Sequence, residues 1–287
     1  MLFSLYDDVE AFYRDTHAAL LRHEAQNNIL LGNLMIGCKG EDKTGWRDPA
    51  HWLMAAVSDD GEPRLVALMT PPHKITLYAT DNQADDAALD CLIEGLLEAK
   101  VPIPGVMTEK SLAERFAQAY CAAAGLEYTV AKEQRIYELR EVNPGIPSGK
   151  IRLTMESDMA FLPYWNEGFA SDCFGGPLSV QSNPEGYRYL IAANNLYILM
   201  DGDTPVSMAK TSRGMKTVCC VSYVYTPPYF RGKGYATACV AALSRIILEK
   251  GYSSCVLYTD LANPTSNSIY QKIGYRPLCD SLDIAFA

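Results

Sequence analysis

The sequence predicts an α/β protein made of two domains. Its 287 residues are about twice the length of one small domain. Strand-like and helix-like runs alternate along both halves, and a break rich in proline and glycine lies between them, at Asn143-Pro-Gly-Ile-Pro-Ser-Gly149. Neither a helix interior nor a central strand tolerates this break. We therefore predict domains at 1–142 and 150–287, joined by a linker at 143–149.

The bulk composition indicates a protein with packed cores. Apolar residues make up 48% of the chain, yet no run approaches the roughly 20 apolar residues that span a bilayer. The first residues, Met1 to Asp8, lack a basic region followed by an apolar core, so no signal peptide is expected. Nine cysteines without a C-x-x-C spacing favour buried, reduced thiols and a cytoplasmic location.

The net charge of the chain restricts the classes of molecule that it is expected to bind. The net charge of −9 and the pI near 5.0 argue against a nucleic-acid partner, which needs a concentrated basic face. They favour neutral or cationic substrates. The four histidines form no metal-binding motif with nearby cysteines, so no metal is expected.

The spacing of apolar residues predicts the helices and strands of both halves. Asp201-Gly-Asp-Thr204 in the second half and Asp59-Asp-Gly-Glu62 in the first are hairpin turns by composition. The expected strands of the second half cover 150–154, 195–200, 205–210, 217–226, 254–259 and 281–286, and its helices cover 157–169 and 236–250. The first half follows the same order more loosely, with helices at 5–21, 85–100 and 111–124 and strands at 53–58, 64–70, 75–79 and 135–142.

The most informative segment is Tyr229-Phe-Arg-Gly-Lys-Gly-Tyr-Ala-Thr237, between an apolar strand and a helix of small residues. Its glycines and the start of the helix present free backbone N–H groups, which with the helix dipole form a site for a pyrophosphate. It is not a dinucleotide fingerprint, because Thr237 stands where the third glycine belongs. It is not a Walker loop either, because Lys233 is followed by Gly234.

The pattern Arg231-x-x-Gly234-x-Ala236 resembles the [Q/R]-x-x-G-x-[G/A] loop of the GCN5-related N-acetyltransferases. The second signature of that family, N-x-x-[S/A]-x-x-x-Y-x-K-x-G-[F/Y], is expected after one helix and one strand. The chain matches it there with Asn263, Ser266, Tyr270, Lys272, Gly274 and Tyr275. The resemblance covers roughly residues 150 to 287 and does not extend by motif to the first half.

The resemblance implies a mixed, mostly antiparallel sheet flanked by helices, with acetyl-CoA in a V-shaped gap between two parting strands. The backbone of Val224, Tyr225 and Thr226 would pair with the pantetheine arm, and N–H groups from Arg231 to Ala236 would hold the pyrophosphate. The implied cofactor-binding residues are Val224, Tyr225, Thr226, Arg231, Gly232, Lys233, Gly234, Tyr235, Ala236, Thr237, Asn263, Ser266 and Asn267. Arg231 and Lys233 alternatively fit solvated loop cations, and Asn263 before Pro264 also suits a helix N-cap.

The resemblance also implies that Tyr270 is the general acid. A phenol can give a proton to the leaving CoA thiolate, and Asn267 and Tyr270 share one helix face. The alternative is a tyrosine packed in the core. A backbone N–H near Thr226 would meet the oxyanion of the tetrahedral intermediate.

No general base is evident, because the strand from Val218 to Thr226 carries no carboxylate. Deprotonation of the amine would pass through waters held by Ser222, Tyr223 or a carboxylate such as Glu167 or Asp172. An acceptor amine of low pKa, which needs little help, is the other explanation.

The first half has Asp81-Asn-Gln-Ala-Asp-Asp86 where a phosphate loop would stand. The carboxylates of this turn would repel a pyrophosphate. We therefore interpret the first half as a degenerate copy of the acetyltransferase domain that binds no cofactor, with an unrelated α/β domain as the alternative.

These observations predict an N-acetyltransferase that moves an acetyl group from acetyl-CoA to a primary amine within a ternary complex, without an acetyl-cysteine. The expected partner is a small-molecule amine, and no nucleic acid, membrane or metal is expected. The sequence leaves a homodimer as one option for the oligomeric state. One rival is a non-catalytic acyl-CoA sensor, which turnover with any amine would exclude. The other is a transferase that uses a different acyl-CoA.

Overall fold

The computed structural model describes residues 1–40, 47–82, 85–147, 149–175 and 184–287. The chain divides into two compact units. Unit 1 comprises Met1–Ile136, Thr259–Ala262 and Pro277–Ala287, and unit 2 comprises Tyr137–Tyr258 and Asn263–Arg276.

Unit 1 is built around a four-stranded antiparallel sheet in the order β1-β2-β3-β4. An isolated parallel bridge between Ile75 and Val106 relates the start of β4 to β5. The elements of the first half are β1 (Leu2–Tyr6), α1 (Val9–Leu21), α2 (Asn28–Lys39), β2 (Leu53–Asp59), β3 (Glu62–Met69), β4 (Thr76–Ala79), α3 (Asp86–Glu98), β5 (Gly105–Glu109), α4 (Lys110–Ala124) and β6 (Tyr128–Leu139).

The β2–β3 hairpin shows how the sequence specifies this unit. Asp60 and Gly61 both have positive φ, at 51° and 81°, as a tight turn matched to the strand twist requires. The turn sets a register in which Val57 faces Leu65, and both side chains are fully buried. The core continues to Leu92 of α3 and Phe116 of α4.

Unit 2 holds strands in the order β11-β10-β9-β8-β7, antiparallel except for the parallel pair β10 and β11. Its core includes Cys239, Leu243 and Ile273. The elements of the second half are β7 (Lys150–Leu153), α5 (Leu162–Phe174), α6 (Pro184–Ala192), β8 (Leu196–Asp201), β9 (Thr204–Ser212), β10 (Val218–Tyr225), α7 (Tyr235–Glu249), β11 (Ser254–Asp260), α8 (Pro264–Ile273) and β12 (Arg276–Phe286).

The two halves of the chain have the same order of strands and α-helices. From β1 to β6 and again from β7 to β12, the order is β-α-α-β-β-β-α-β-α-β. The α/β fold class with mostly antiparallel sheets flanked by helices, predicted from the sequence, is confirmed.

The compact units are not two consecutive segments of chain. Strand β6 has residues 128–136 in unit 1 and residues 137–139 in unit 2. Pro277–Ala287 lie in unit 1, where β12 pairs antiparallel with β5 from Ser281↔Glu109 to Ala285↔Gly105. The division at 1–142, 143–149 and 150–287 stays a prediction, and Ser148 of that linker lies outside the described residues.

The predicted helix at 5–21 begins later than expected, because Leu2–Tyr6 form β1 and Asp8 caps α1 by accepting bonds from the N–H groups of Glu10 and Ala11. The sequence analysis missed α2, β5 and α6. None of the described helices combines the length and apolar character that crossing a bilayer requires.

Candidate functional site

The site begins where β10 leaves β11. Their parallel pairing covers Val218–Cys220 against Ser254–Val256, while β10 continues to Tyr225. On its other edge, β10 has a bulge against β9 between Ser222 and Tyr225, at which Tyr223 adopts a φ of 58°. A bulge bends its strand, and a non-glycine residue seldom adopts positive φ, so β10 is locally distorted after its last pair with β11. The backbone of Val224 and Tyr225 thus follows the point of separation.

The loop after β10 leads into the N-terminus of α7. Gly232 and Gly234 have φ of 77° and 82°, which favour glycine, and a Cβ at either position would meet no atom within 4 Å. Gly234 is the N-cap and supplies no side-chain bond. The N–H groups of the first turn, at Tyr235, Ala236 and Thr237, have no partner within the helix and carry the positive end of its dipole. This geometry is suited to an anion.

The two loop cations have different surroundings. Arg231 donates from Nε to the Thr226 carbonyl at 2.9 Å and from Nη2 to Asp172 of α5 at 2.5 Å. Its side chain therefore links the loop to α5, and about half of it stays exposed to solvent. The Nζ of Lys233 lies 6.0 Å from the centre of the Phe230 ring, a cation–π arrangement.

A buried serine that the sequence analysis missed fixes the end of β10. Ser207 of β9 is fully buried, and its Oγ lies 3.0 Å from the Tyr225 carbonyl and 2.9 Å from Thr226 Oγ1. No motif marks this serine, which is one of several polar residues in β9. Tyr235 of α7 donates its hydroxyl to Asp201, and this bond raises the pKa of Tyr235.

Tyr270 is 7% exposed and packs between two rings, with centroid distances of 6.5 Å to Tyr137 and 5.9 Å to Tyr275. Burial, with a smaller contribution from the charge of Cys173, raises its pKa above the usual range. The residue thus has the packing of a core tyrosine and a protonated hydroxyl.

The residues at the start of α8 are engaged with the helix itself. Asn263 accepts the N–H of Ser266 at 3.0 Å, with Pro264 next to it in the first turn, so Asn263 is an N-cap. Asn267 donates to the Asn263 carbonyl at 2.7 Å and accepts from the Tyr137 hydroxyl at 3.2 Å. The expected contacts of Asn263, Ser266 and Asn267 with a cofactor stay predictions.

The side chains considered for deprotonation of the acceptor amine make separate sets of contacts. Tyr223 donates its hydroxyl to Asn166, whose amide donates to Glu167 at 3.3 Å. Burial, the nearby Tyr187 and Glu167 raise the pKa of Tyr223, in that order. Asp172, in contrast, is paired with Arg231.

Ser222 donates to Ser212 at 3.0 Å. The nine cysteines, which all lie within the described residues, form no disulfide. Burial raises the pKa of Cys219, Cys239 and Cys255 to about 12, so these three are poor nucleophiles at neutral pH.

Carboxylates dominate the position in the first half that corresponds to the loop before α7. Asp81 has a φ of 56° and accepts from Arg22 at 2.9 Å. Asp85 caps α3 by accepting the Ala88 N–H at 2.6 Å, so a side chain of the protein already occupies a donor that an anion would use. Gln83 and Ala84 of this predicted turn lie outside the described residues.

No cluster of three or more His, Cys, Asp and Glu side chains suited to a metal ion occurs within the ranges that the structure describes.

Comparison with known proteins gives one family model and many structures. Residues 203–282, from the β8–β9 turn into β12, match the family model described as FR47-like protein. A comparison with curated protein sequences gave no significant match.

Three solved structures cover nearly the whole chain. An acetyltransferase of the GNAT family from Colwellia psychrerythraea has a TM-score of 0.57 at 11% identity, over 100% of this chain and 99% of its own. A GCN5-related N-acetyltransferase from Sphaerobacter thermophilus has 0.59 at 14%, over 99% and 95%. A Drosophila protein has 0.67 at 13%, over 99% and 98%. At these identities the likeness shows the fold.

Proposed function

We propose that this chain, whose fold is that of the GCN5-related N-acetyltransferases, transfers an acetyl group from acetyl-CoA to a primary amine. The fold supports acyl transfer in general, and the donor and acceptor are the proposal. The observation that carries it is the separation of β10 from β11 ahead of α7, whose N-cap Gly234 has no side chain to bond the first N–H groups. Together they offer a gap for a thioester arm and a site for its pyrophosphate.

In this proposal the pyrophosphate meets the N–H groups from Gly232 to Thr237, with Lys233 at the rim. The pantetheine arm follows the backbone of Val224, Tyr225 and Thr226, which lies beyond the last paired residues of β10 and β11. The bond from Ser207 to the Tyr225 carbonyl supports this role, because it holds that stretch of backbone in place without the help of β11.

The chemistry is direct attack of the amine nitrogen on the thioester carbon. The carbon–sulfur bond breaks, and the leaving CoA thiolate takes a proton from the Tyr270 hydroxyl. Burial raises the pKa of Tyr270, which keeps the proton in place before transfer. Exclusion of water also raises the pKa of the CoA thiol. The pKa values of the group that gives the proton and the group that takes it therefore rise together. A backbone N–H near Thr226 would stabilise the oxyanion.

The amine must lose a proton before it attacks, which costs on the order of 4 kcal/mol for an amine of pKa near 10. Asp172 is already held in an ion pair with Arg231, so we favour Glu167 as the carboxylate that accepts this proton. Glu167 is linked through Asn166 to the hydroxyl of Tyr223 on β10.

We also propose that the first half is a degenerate copy without a cofactor. The repeated order of elements supports the common origin, and the Asp85 cap on α3 supports the loss of the anion site. A cytoplasmic location stays a prediction from the cysteine content.

The test is transfer itself. Purified protein is incubated with acetyl-CoA and a set of neutral and cationic amines, and acetylated products are identified by mass spectrometry. We expect one class of amine to be acetylated at a rate that depends on Tyr270. Binding of acetyl-CoA without transfer to any amine, and without release of free CoA, would contradict the proposal and favour an acyl-CoA sensor.

A further inference from the structure

Four side chains of unit 2 form a connected polar cluster beside the bulge of β10. They are Asn166 and Glu167 of α5, Tyr187 of α6 and Tyr223 of β10. Tyr223 donates its hydroxyl to the amide oxygen of Asn166, and the Asn166 amide donates to Glu167 at 3.3 Å. The Tyr187 hydroxyl is hydrogen-bonded to the side chains of Asn166 and Glu167. Two helices and one strand thus meet at a single carboxylate.

The hydrogen bonds within this cluster leave acceptors rather than donors for a ligand. A tyrosine hydroxyl has one proton, and a carboxylate accepts only. The Tyr223 proton is directed to Asn166, and the Tyr187 proton is directed to Glu167. What remains on Tyr223 and Glu167 is the lone pairs of their oxygens. A molecule that completes these hydrogen bonds must therefore donate N–H or O–H groups.

Glu167 is half-buried and forms no ion pair with a Lys, Arg or His of the described ranges. Asp172 of the same helix, in contrast, pairs with Arg231. Lys210 lies 5.8 Å from the centre of the Tyr223 ring, but the charges that act on the Tyr223 hydroxyl are those of Tyr187, Glu167 and Cys173. A carboxylate withdrawn from water is normally paired with a cation. An ammonium group supplies both this charge and the N–H donors.

The backbone at Tyr223 places the cluster beside the proposed path of the thioester. Tyr223 has a φ of 58° within the bulge of β10. A non-glycine residue keeps such a conformation only where the surrounding structure holds it, and these positions are frequent at ligand sites. The next residue, Val224, begins the stretch that is proposed to follow the pantetheine arm. A donor bound by the Tyr223 oxygen therefore lies next to that stretch.

Aromatic rings border the same cluster. The half-exposed Phe169 ring lies 4.3 Å from the Tyr223 ring, and Tyr187, which is 7% exposed, belongs to an apolar cluster with Trp165. An apolar stem gains free energy when it leaves water for such rings. A stem rich in hydroxyls would lose its hydrogen bonds with water there. A second carboxylate beside the amine would be repelled by Glu167.

We propose that this cluster binds the acceptor, and that the acceptor is a primary ammonium group on an apolar stem with no carboxylate beside it. The N–H groups of the ammonium meet the Tyr223 oxygen and the Glu167 carboxylate, and Phe169 contacts the stem. Asn166 and Tyr187 are positioning residues, because they hold Tyr223 and Glu167. This inference rests on the proposed function and names the class of amine that the same site takes.

The first test compares amines as acceptors for the full chain with acetyl-CoA. Phenethylamine has an apolar stem, phenylalanine is the same molecule with an added carboxylate, and glucosamine has a stem rich in hydroxyls. Release of CoA measures kcat/KM for each of them. We expect phenethylamine to exceed phenylalanine by roughly 10-fold or more, because of the charge of Glu167. Glucosamine should also be the poorer acceptor. Equal values, or a preference for phenylalanine or glucosamine, would overturn the inference.

The second test removes one charge. Glu167→Gln keeps the size of the side chain but has no negative charge, so KM for phenethylamine should rise roughly 10-fold while KM for acetyl-CoA stays unchanged. The disadvantage of phenylalanine should shrink in the same variant, a change that a merely structural role of Glu167 would not produce. Glu185→Gln, at an exposed carboxylate of α6, is the matched control and should change neither KM. An unchanged KM for phenethylamine in Glu167→Gln would overturn the inference.

Tyr223→Phe separates the hydrogen bond from the charge. KM for phenethylamine should rise in this variant, because the oxygen that accepts an N–H is lost. Discrimination against phenylalanine should remain, because Glu167 is still present. Loss of that discrimination with an unchanged KM for phenethylamine would contradict the assigned roles.

The outcomes for the two proposals are distinguishable. If the chain acetylates amines of another class and not phenethylamine, the inference is overturned and the proposed function stands. If acetyl-CoA binds but no amine is acetylated, both are overturned.

Discussion

Tyr270 packs as a core residue and is also the proposed general acid. Its ring lies between Tyr137 and Tyr275, as a core tyrosine would, and its hydroxyl retains a proton because burial raises its pKa. The sequence predicted these two roles as alternatives, since a motif position carries no information about burial. The side-chain environment makes them compatible.

Replacement of Tyr270 by phenylalanine tests the acid role. The ring stays and the proton is lost, so acetyl-CoA affinity should be kept and kcat should fall roughly 10²-fold, within the usual range for a general acid. Steady-state kinetics and calorimetry measure the two quantities. Tyr275→Phe, at another buried tyrosine, removes a 2.8 Å bond with Ser244 and should cost about 1 kcal/mol of stability with kcat unchanged. Normal turnover in Tyr270→Phe would show that another group protonates the thiolate.

The pH dependence of kcat gives an independent check. A tyrosine ordinarily loses its proton near 10.0, and the raised pKa of Tyr270 moves that loss to higher pH. The decrease of kcat that comes from this group is therefore expected above pH 10. A decrease that begins well below pH 10 and disappears in Tyr270→Phe would contradict the assigned environment.

At the scale of elements, local chemistry predicted the second half better than the first. Strands with clear alternation and turns such as Asp201-Gly-Asp-Thr204 lie where expected. The helix predicted at 5–21 took in the last two residues of β1, because the apolar spacing of Leu-Phe-Ser-Leu-Tyr fits either period and only the pairing of β1 with β2 decides. The missed β5 has only five residues, Gly105–Glu109, and owes its strand form to the partner β12.

The candidate site was likewise predicted from the sequence only in part. The loop and the start of α8 were predicted from their motifs. Ser207 and the pairing of Arg231 with Asp172 depend on contacts between segments distant in sequence, and sequence patterns do not show these contacts.

A buried ion pair holds the segment between β7 and α5. Asp158 is 2% exposed, makes two 2.7 Å bonds to Arg152, and accepts the Met155 N–H at 2.8 Å. Asp158→Ala leaves the Arg152 charge without this partner and should lower the free energy of unfolding by about 3 kcal/mol. Glu156→Ala breaks only the exposed pair with Arg188 and should cost under about 1 kcal/mol. Urea unfolding of both variants measures the difference, and equal losses would contradict the importance of the buried pair.

At the scale of the whole molecule, the core thiols make stability depend on pH. The pKa of Cys239 is raised from 9.0 to about 12 by burial. Below pH 9 the thiol is protonated in both states. Above pH 9 the unfolded chain loses the proton while the folded chain keeps it, so stability falls as pH rises toward 12.

Between pH 8 and 10, Cys239 alone should account for a loss of about 1.4 kcal/mol. In Cys239→Ala, the decrease in unfolding free energy over this interval should be smaller by that amount, as measured by urea unfolding in reducing buffer. Cys173→Ala removes an exposed thiol and is the control, expected to keep the original dependence. An identical pH dependence in Cys239→Ala would show that this thiol is not protected by the core.

The central claim at the scale of the whole molecule is that each chain binds one acetyl-CoA. Its site is at the start of α7, and the first half has no such site. Calorimetric titration of the purified protein with acetyl-CoA tests it most directly, alongside Gly234→Leu and Gly251→Leu. Both glycines have positive φ and open space around a Cβ, and they stand at opposite ends of α7, so the two substitutions impose a similar strain. We expect a stoichiometry of one in the original chain and in Gly251→Leu, and no binding to Gly234→Leu. Unchanged binding in Gly234→Leu, or two molecules per chain, would contradict the account.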